Sequence, residues 1–465
     1  MFHEKCAVFG IYGTDPSIEA ARLVHTGLWA LQHRGQESSG IVSSDGSSLS
    51  VHKGMGLVAH VYDEKCFDSL AGELAIGHNR YATSGPSEIS HVQPVISQDR
   101  NLAMAHNGNL PTTTRLSRFL ISKGISPRFN NDSELMYKAV AYYFVKGLGL
   151  PEAVAKAFPL FTGVFSTLFM SVDTMVAVRD RRGIRPLSLG KIDGIGHVIS
   201  SETCAINTVG GEYVRDIKPA EMVVINKSGI SSQLLTKGKE MLDAFEFVYF
   251  SRPDSYLAGK SVNEVRKESG RQLAKENPNI KADLVIPVPD SGIPAAIGFS
   301  QASGIPFDMG LIKNRYIHRT FIRPAQSLRK NDVRLKLNPL PSVLKDKRVI
   351  LIDDSIVRGT TSEEIVSLLR QAGAKEVHFL ISSPPVKYPD FYGINTPNQN
   401  ELIAATKTIP EIKKFIKADS LAYLSLKGLV KAIGLPQRDI CTSCFTGKYP
   451  VSIGLNKKTI KFLGT

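Results

Sequence analysis

The chain has 465 residues, a length that suggests two to four domains of ordinary size. With 42% hydrophobic and 22% charged residues, the composition is that of a globular protein and excludes a disordered or fibrous chain. The formal net charge of +14 suits a nucleic acid, but it suits a small phosphorylated substrate equally well.

No apolar run reaches the roughly 18 to 20 residues that a bilayer span needs, and Met1 to Lys5 lack the apolar region of a signal peptide. We therefore expect a cytoplasmic protein that is not associated with a membrane. The five cysteines are an odd number in such a chain, which argues against a disulfide framework.

The first half of the chain, to about residue 232, has the pattern of short strands and turns. Residues 57–61, 102–105 and 164–170 are predicted strands, each bounded by turn-forming residues. Helices are predicted over residues 18–33 and 132–145, and the second carries an acidic N-terminal signal before its apolar run.

Cys6 stands just before an apolar strand that would hold its thiol at the strand's edge. A lone cysteine in this position is more often a buried structural thiol than a nucleophile. Four polar strings downstream change that interpretation: His33-Arg34-Gly35-Gln36-Glu37-Ser38-Ser39-Gly40, Gly77-His78-Asn79-Arg80-Tyr81-Ala82-Thr83-Ser84-Gly85, Ala105-His106-Asn107-Gly108-Asn109-Leu110 and Asn131-Asp132-Ser133-Glu134. In that order, after Cys-x-Val-Phe-Gly, they resemble the class II glutamine amidotransferases of the N-terminal-nucleophile hydrolase fold.

That resemblance implies a role for each polar group. The Cys6 thiolate would attack the side-chain amide of glutamine, with a free α-amino group as the base once the five preceding residues are removed. Asn107 and the backbone amide of Gly108 would form the oxyanion hole. Arg80 would bind the α-carboxylate of glutamine, and Asp132 would hold its α-ammonium group.

From about residue 262 onward, continuous apolar runs alternate with helical segments. Strands are predicted over residues 284–289, 349–352 and 377–381, and helices over 294–303 and 362–372. Buried strands that alternate with helices indicate a parallel α/β sheet. We place the domain boundary between residues 231 and 245, which leaves a leading segment (1–5), a first domain (6–235) and a second domain (245–465).

One string in the second half points to a phosphate site: Val349-Ile350-Leu351-Ile352-Asp353-Asp354-Ser355-Ile356-Val357-Arg358-Gly359-Thr360-Thr361. A buried strand delivers two acids, and the turn after them can cradle a phosphate with backbone amides and a helix N-terminus. The acids suit the hydroxyls of a sugar or Mg²⁺, which prefers oxygen ligands. The string resembles that of type I phosphoribosyltransferases, which bind phosphoribosyl pyrophosphate (PRPP).

A second strand ends in Pro289-Asp290-Ser291-Gly292, and this turn is well placed to hold the pyrophosphate and the metal. Between the two strands, residues 311–348 hold 11 Lys and Arg against two acids. We expect a basic lid here, with Lys330 among the PRPP ligands, because cations would stabilise the departing pyrophosphate. A solvated or RNA-binding run of charge is the alternative.

Joined in one chain, the two halves resemble glutamine-dependent enzymes that transfer ammonia to C1 of PRPP at the start of purine synthesis. The resemblance covers residues 6 to 450. It implies an αββα sandwich of the α+β class followed by an α/β phosphoribosyltransferase domain, and Mg²⁺ bound at Ser291, Asp353 and Asp354. It also implies an ammonia channel, coupling of the two sites through residues 249–255, feedback inhibition by purine nucleotides, and a homotetramer that binds no nucleic acid.

Some members of this family carry a four-cysteine iron-sulfur cluster, and here the sequence departs from their pattern. Cys441 and Cys444 keep a C-x-x-C pair, but Asp243 and Asp390 stand at the two other ligand positions. Thiolates are the usual ligands of such clusters. A metal-free remnant is therefore favoured, with an altered [4Fe-4S] cluster or a zinc ion as the alternatives.

A different function class remains open at this point. A non-catalytic regulator that senses PRPP and binds nucleic acid would also need a phosphate loop. It would have no use for Cys6, Arg80, Asn107 and Asp132 together, and no basic helix-turn-helix pattern precedes the sheet. The enzyme is therefore the favoured interpretation.

Overall fold

Two antiparallel sheets build the first half of the chain. The computed structural model describes residues 6–81, 89–128, 130–314, 333–393, 398–454 and 460. The first sheet contains seven strands: β1 (Ala7–Gly13), β2 (Ser38–Ser44), β3 (Leu49–Met55), β4 (Leu74–Arg80), β9 (Ser188–Ile192), β10 (Gly196–Ser200) and β11 (Glu212–Asp216). The second contains six: β5 (Val95–Ile96), β6 (Ala103–Asn109), β7 (Val164–Met170), β8 (Thr174–Arg179), β12 (Glu221–Asn226) and β13 (Gly229–Leu234). Their strand orders are β11-β9-β10-β1-β4-β2-β3 and β13-β12-β8-β7-β6-β5.

Helices cover the outer face of each sheet. They are α1 (Ala20–Ala30), α2 (Val58–Val61), α3 (Glu64–Asp68) and α7 (Thr203–Thr208) beside the first sheet, and α4 (Thr114–Ser122), α5 (Asp132–Val145) and α6 (Leu150–Ala157) on the second. Apolar side chains such as Val8, Ile76 and Leu168 fill the space between the sheets. The result is the expected αββα sandwich, in which β7 is buried along its whole length because both of its faces are covered.

Two helix predictions and three strand predictions can be compared with these elements. Strand β7 has the predicted bounds, whereas β6 begins one residue later than predicted and extends to Asn109. Helix α5 has the predicted bounds, since Asn131 and Glu134 form a capping box at its start. The first helix is shorter than predicted, because a 3₁₀ turn (Gln32–Arg34) follows α1. The strand predicted over residues 57–61 is wrong: Val58 and Val61 both face the core from the helical turn α2, a spacing of three that a strand cannot provide.

A parallel sheet organises the second half. It contains β17 (Leu284–Pro287), β20 (Arg348–Asp353), β21 (Glu376–Ile381) and β22 (Ser420–Tyr423), in that order. Helices α8 (Val262–Glu276), α9 (Ile293–Ser303) and α14 (Leu426–Ile433) pack on one face, and α11 (Thr360–Gln371) and α13 (Ile409–Ile416) pack on the other. Successive residues of β20 point into opposite cores, which explains why the strand is a continuous apolar run.

Smaller elements complete this half: the pairs β14 (Leu242–Asp243) with β23 (Ile440–Cys441), β15 (Tyr256–Leu257) with β16 (Lys260–Ser261) and β18 (Leu311–Lys313) with β19 (Leu337–Pro339), and the helices α10 (Pro341–Leu344), α12 (Ile403–Thr406) and α15 (Ser443–Thr446). A π-helical turn, Glu246–Phe250, follows β14. Because β14 pairs with β23, the segment just after the sandwich is hydrogen-bonded to the C-terminal region of the chain. Over the described ranges, no helix combines the length and apolar character of a membrane span.

Candidate active sites

Cys6 lies at the start of β1, where the strand register brings it beside the end of β4. Ala7 pairs with Asn79, so the residue before it faces Arg80. Burial raises the pKa of the Cys6 thiol to about 11, although a backbone hydrogen bond from Tyr81 and the charge of Arg80 act in the opposite direction. The thiol is therefore protonated at neutral pH, and attack on an amide requires a base beside it.

Asn107 and Gly108 lie on β6, in the second sheet. The fully buried Asn107 donates from Nδ2 to Ser201 Oγ at 3.3 Å, and the same hydroxyl accepts from the backbone N–H of Val8 at 2.9 Å. Ser201 therefore connects the Asn107 amide to the strand that carries Cys6. Gly108 has a φ of +154°, and a Cβ there would collide with the carbonyl oxygen of Val164, so only glycine fits.

Arg80 and Asp132 carry the two charges expected to bind glutamine. Arg80 ends β4, and its Nη1 lies 3.1 Å from Glu37 Oε1, a partner for which the sequence pattern suggested no role. Asp132 begins α5 and accepts hydrogen bonds from the backbone N–H groups of Leu110 and Ser133, at 3.0 and 2.9 Å. The charges of Arg80, Asp132 and Glu37 all act on the Cys6 thiol, so these four side chains form one cluster.

The predicted phosphate loop follows β20 and leads into α11. Gly359 caps that helix with a φ of +80°, and a Cβ at this position would lie 2.7 Å from Ile403 Cδ1. The backbone N–H of Ile403 donates to Val357 O at 2.9 Å. The side chain of Arg358 pairs with Glu401, with Nη2 and Oε2 2.8 Å apart, so this guanidinium is already engaged by a carboxylate.

Asp353 and Asp354 lie side by side at the carboxyl end of β20. The backbone N–H of Asp354 donates to Asp353 Oδ1 at 2.9 Å, and Ser383 Oγ donates to the Asp354 carbonyl oxygen at 2.7 Å. Burial raises the pKa of both carboxyl groups, and the charge of Asp354 raises that of Asp353 further. A divalent cation would offset this repulsion, and the donors are the oxygens that Mg²⁺ prefers, so the pair fits the metal.

Two groups from outside the phosphate loop act on Asp354, in addition to Ser355 of the loop, whose hydroxyl donates to its carboxylate. Ser291 donates a hydrogen bond to the carboxylate, as expected from its position in the second turn. That turn lies close to β20 because Gly292 has no side chain; a Cβ there would collide with the carbonyl oxygen of Ile352. Arg266 of α8 adds a buried positive charge near Asp354, and it donates to the carbonyl oxygens of Phe247 and Ser251 at 2.7 and 2.8 Å. The sequence pattern suggested no role for Arg266.

Lys330, residues 315–332 of the expected basic lid and the leading segment 1–5 lie outside the described residues. Lys313, at the near end of the basic segment, pairs with Asp290 across 2.6 Å. The lid, the PRPP contact of Lys330 and the removal of the leading segment therefore stay predictions.

Buried charges fill the junction between the two halves. Arg34 forms ion pairs with Glu202 and with Glu246, and all three side chains are at most 2% exposed. Arg185, also fully buried, lies 2.8 Å from Glu246. Although burial raises the pKa of Glu246, the charges of Arg34 and Arg185 lower it to about 2. Ser251, within the segment expected to couple the sites, donates to Glu246 Oε2 at 2.8 Å.

The four residues considered for a cluster or a zinc ion lie at the edge of this junction. Asp243 and Asp390 flank the Arg185 guanidinium, with their carboxylate oxygens 3.0 and 3.7 Å from Nη2. Burial and the charge of Asp243 raise the pKa of the Cys441 thiol to about 12, and that of Cys444 is raised as well. The two acids are thus paired with an arginine, and they offer oxygen where a cluster of four thiolates needs sulfur, so this set of donors does not fit such a cluster. Among the residues that the structure describes, no group of three or more His, Cys, Asp or Glu could hold a metal.

Comparisons with known proteins identify the domain type of each half. A model described as a glutamine amidotransferase domain matches residues 78–208, and one described as a phosphoribosyl transferase domain matches residues 260–383. The chain is 47% identical to the amidophosphoribosyltransferase of Synechococcus elongatus, over 99% of this chain and 94% of that protein, and 44% identical to that of Bacillus subtilis, over 97% and 95%.

Solved structures show the same relationship. The glutamine PRPP amidotransferase of B. subtilis, complexed with ADP and GMP, is 43% identical and superimposes with a TM-score of 0.88, over 97% of this chain and 98% of that one. A structure described as the allosteric regulatory enzyme of purine biosynthesis gives a TM-score of 0.89 at 43% identity, over 97% of each chain. The chain therefore belongs to the amidophosphoribosyltransferase family, the enzymes that use glutamine to aminate PRPP in purine biosynthesis.

Proposed function

We propose that Cys6, Asn107, Gly108, Arg80 and Asp132 form the glutaminase centre of this enzyme. The observation that carries the proposal is the set of charges around Cys6: a cation, Arg80, and a carboxylate, Asp132, both act on the thiol, and Ser201 links the strand after Cys6 to Asn107 of β6. An amino acid carries one charge of each sign on its α-carbon. Arg80 and Asp132 would hold these two groups, and the side-chain amide would then reach the thiol.

The thiol attacks in its deprotonated form. After the leading segment is removed, the α-amino group of Cys6 takes the proton of its own thiol, and sulfur bonds to the amide carbon. The oxygen of the tetrahedral intermediate accepts hydrogen bonds from Asn107 Nδ2 and the backbone N–H of Gly108. The side-chain amide nitrogen of glutamine then takes the proton held by the α-amino group and leaves as ammonia. Water hydrolyses the remaining thioester to glutamate and the free thiol.

The second half would use this ammonia. Backbone amides of the loop from Asp353 to Thr361 and the N-terminus of α11 would bind the 5-phosphate. Asp353, Asp354 and Ser291 would hold Mg²⁺, which, when bound, neutralises the charge of the pyrophosphate. Ammonia attacks C1 as the bond to pyrophosphate breaks, so the products are 5-phosphoribosylamine and pyrophosphate. An internal channel would keep the ammonia from water.

Replacing the nucleophile tests this assignment. With Cys6→Ala, PRPP amination supported by glutamine is expected to fall below detection, whereas amination supported by ammonium ion stays within about twofold of the original, because only the first half loses its reactive group. Pyrophosphate release with each nitrogen donor is the measurement. Cys66→Ala, which removes a partly buried thiol elsewhere, is the matched control and should change neither rate. Glutamine-dependent turnover by the Cys6 variant would disprove the assignment.

We also propose that Met1 to Lys5 are removed from the active enzyme, since a free α-amino group at Cys6 is the only base assigned to the thiol. Intact-mass measurement of active protein checks this, and an active chain that begins at Met1 would contradict it. The B. subtilis relative was solved with ADP and GMP bound, which supports our proposal that purine nucleotides bind and inhibit this enzyme. That this enzyme forms a homotetramer is likewise a proposal, and it rests on the sequence resemblance alone. We propose that residues 6–235 and 245–465 are its two domains.

A further inference from the structure

A turn of the phosphoribosyltransferase half, Asp390–Gly393, contacts β6 of the glutaminase half, the strand that carries Asn107 and Gly108. Gly393 has a φ of +101°, and a Cβ built on it would lie 2.9 Å from both the carbonyl carbon and the oxygen of Gly108. The next residue of the strand, Asn109, donates from Nδ2 to Phe391 O at 2.7 Å. The turn therefore contacts the strand on both sides of the peptide bond that joins Gly108 to Asn109.

The turn is itself held firmly. Tyr392 is fully buried, its backbone N–H donates to Asp390 Oδ1 at 2.8 Å, and its hydroxyl exchanges hydrogen bonds with the backbone of Val451 at 2.7 and 3.0 Å. Its carbonyl oxygen accepts from Arg185 Nε at 3.1 Å. Arg185 belongs to the first half, and its guanidinium is paired with Asp390 of the second half and with Asp243, which lies between the two domains.

We propose that Asp390–Gly393 is a positioning element of the glutaminase reaction, through which the phosphoribosyltransferase half holds the backbone of Gly108 from its Cα and carbonyl side and so fixes the direction of the Gly108 N–H. The inference rests on the oxyanion role proposed above for Gly108. Donors stabilise an oxyanion only when they are already aimed at it, and a displacement of 1 Å can cost two orders of magnitude in rate. On this basis Asp243 and Asp390 act as the carboxylates that keep Arg185, and with it the turn, in place.

The contact between the two glycines can be tested by adding one methyl group. With Gly393→Ala, kcat for glutamine-dependent amination is expected to fall by at least about 10-fold, because the added methyl group must displace the Gly108 backbone and with it the Gly108 N–H. KM for glutamine should stay within about twofold, since Arg80 and Asp132 are untouched, and amination with ammonium ion should also stay within about twofold. Steady-state kinetics with both nitrogen donors give all three values.

Gly373→Ala is the matched control. Gly373 has a φ of +93°, so alanine meets similar backbone strain there, but the nearest atom is Lys345 Cα at 3.3 Å, in the phosphoribosyltransferase half. Both activities of this variant should stay within about twofold. If Gly393→Ala lowers the two activities equally, or leaves kcat with glutamine within twofold, the inference is wrong.

Two more variants keep the outcome decisive. Asn109→Ala removes the hydrogen bond to Phe391 without adding an atom, so it serves if Gly393→Ala does not fold; unchanged kcat with glutamine in this variant would overturn the inference. Asn107→Ala tests the assignment on which the inference rests. If Asn107→Ala leaves glutamine turnover intact, the proposed oxyanion role is wrong. If Asn107→Ala lowers glutamine turnover but Gly393→Ala does not, the oxyanion role stands and only the positioning role of the turn is wrong.

Discussion

Two groups of buried carboxylates in this enzyme have opposite electrostatic character. At the junction, Glu202 and Glu246 lie against two guanidinium groups, and the pKa of each is lowered despite burial. In the phosphate loop, Asp353 and Asp354 face each other, and the pKa of each is raised. Arg266, the described cation that acts on Asp354, also serves two backbone carbonyl oxygens.

The difference in charge balance matches the roles that we propose for the two groups. Carboxylates that the protein neutralises with its own arginines hold the two halves together. Carboxylates left with excess negative charge favour the binding of a cation from solution, because the bound cation supplies the positive charge that the protein does not provide. Three substitutions would separate these roles.

The largest effect is expected from Arg185→Met, which keeps much of the side-chain volume and removes the charge. Glu246, Asp243 and Asp390 would then be buried with less compensation, so the free energy of unfolding should fall by about 3–5 kcal/mol. Urea denaturation followed by circular dichroism measures it. Lys191→Met breaks an exposed pair with Asp193 and should leave the free energy of unfolding nearly unchanged, because solvent screens the pair. Equal losses for both variants would show that the junction network is not a main source of stability.

A smaller effect, on activity, is expected from Asp354→Asn. This change removes one of the two charges proposed to hold Mg²⁺, and amination of PRPP with ammonium ion should fall by about 10²- to 10³-fold. Pyrophosphate release at saturating Mg²⁺ is the measurement. Asp308→Asn, at an exposed carboxylate of the same half, is the control and should leave the rate unchanged. A rate within threefold of the original would contradict the metal assignment of Asp354.

The smallest effect is a dependence of stability on pH. The folded-state pKa of Glu246 is lowered to about 2, below the ordinary value of about 4.3, so its stabilising contribution is complete above about pH 5 and is lost as the pH falls toward 2. Glu246→Gln should therefore destabilise the enzyme by about 1.5–3 kcal/mol at pH 7, and the difference from the original protein should shrink below pH 4. Urea midpoints at several pH values measure this.

Glu64→Gln is the control for that series. Glu64 pairs with Arg22 on the surface, where the carboxylate is 83% exposed, so its replacement should change stability little at any pH. A difference for Glu246→Gln that stayed constant from pH 7 to pH 3 would show that the lost carboxylate charge is not what stabilises the junction.

Local sequence signals determined much of the fold and the residue types of both sites. Strand β7 and helix α5 have their predicted bounds, because an apolar run with turn residues at its ends and an acidic cap are local features. Cys6, Arg80, Asp132 and the loop after Asp353 stood out as motifs for the same reason, and their roles stay predictions until they are tested. The segment 57–61 was predicted wrongly, because periodicity cannot tell a short strand from one helical turn whose Val58 and Val61 reach the core.

Only the tertiary structure decided which charges meet. Glu37 beside Arg80, Arg266 behind Asp354, and Asp243 and Asp390 beside Arg185 come from distant parts of the chain. The same holds for Gly393 against Gly108. Motifs record which chemical groups a chain carries, whereas an ion pair or a steric contact depends on a separation of a few ångströms that exists only after the two halves pack together.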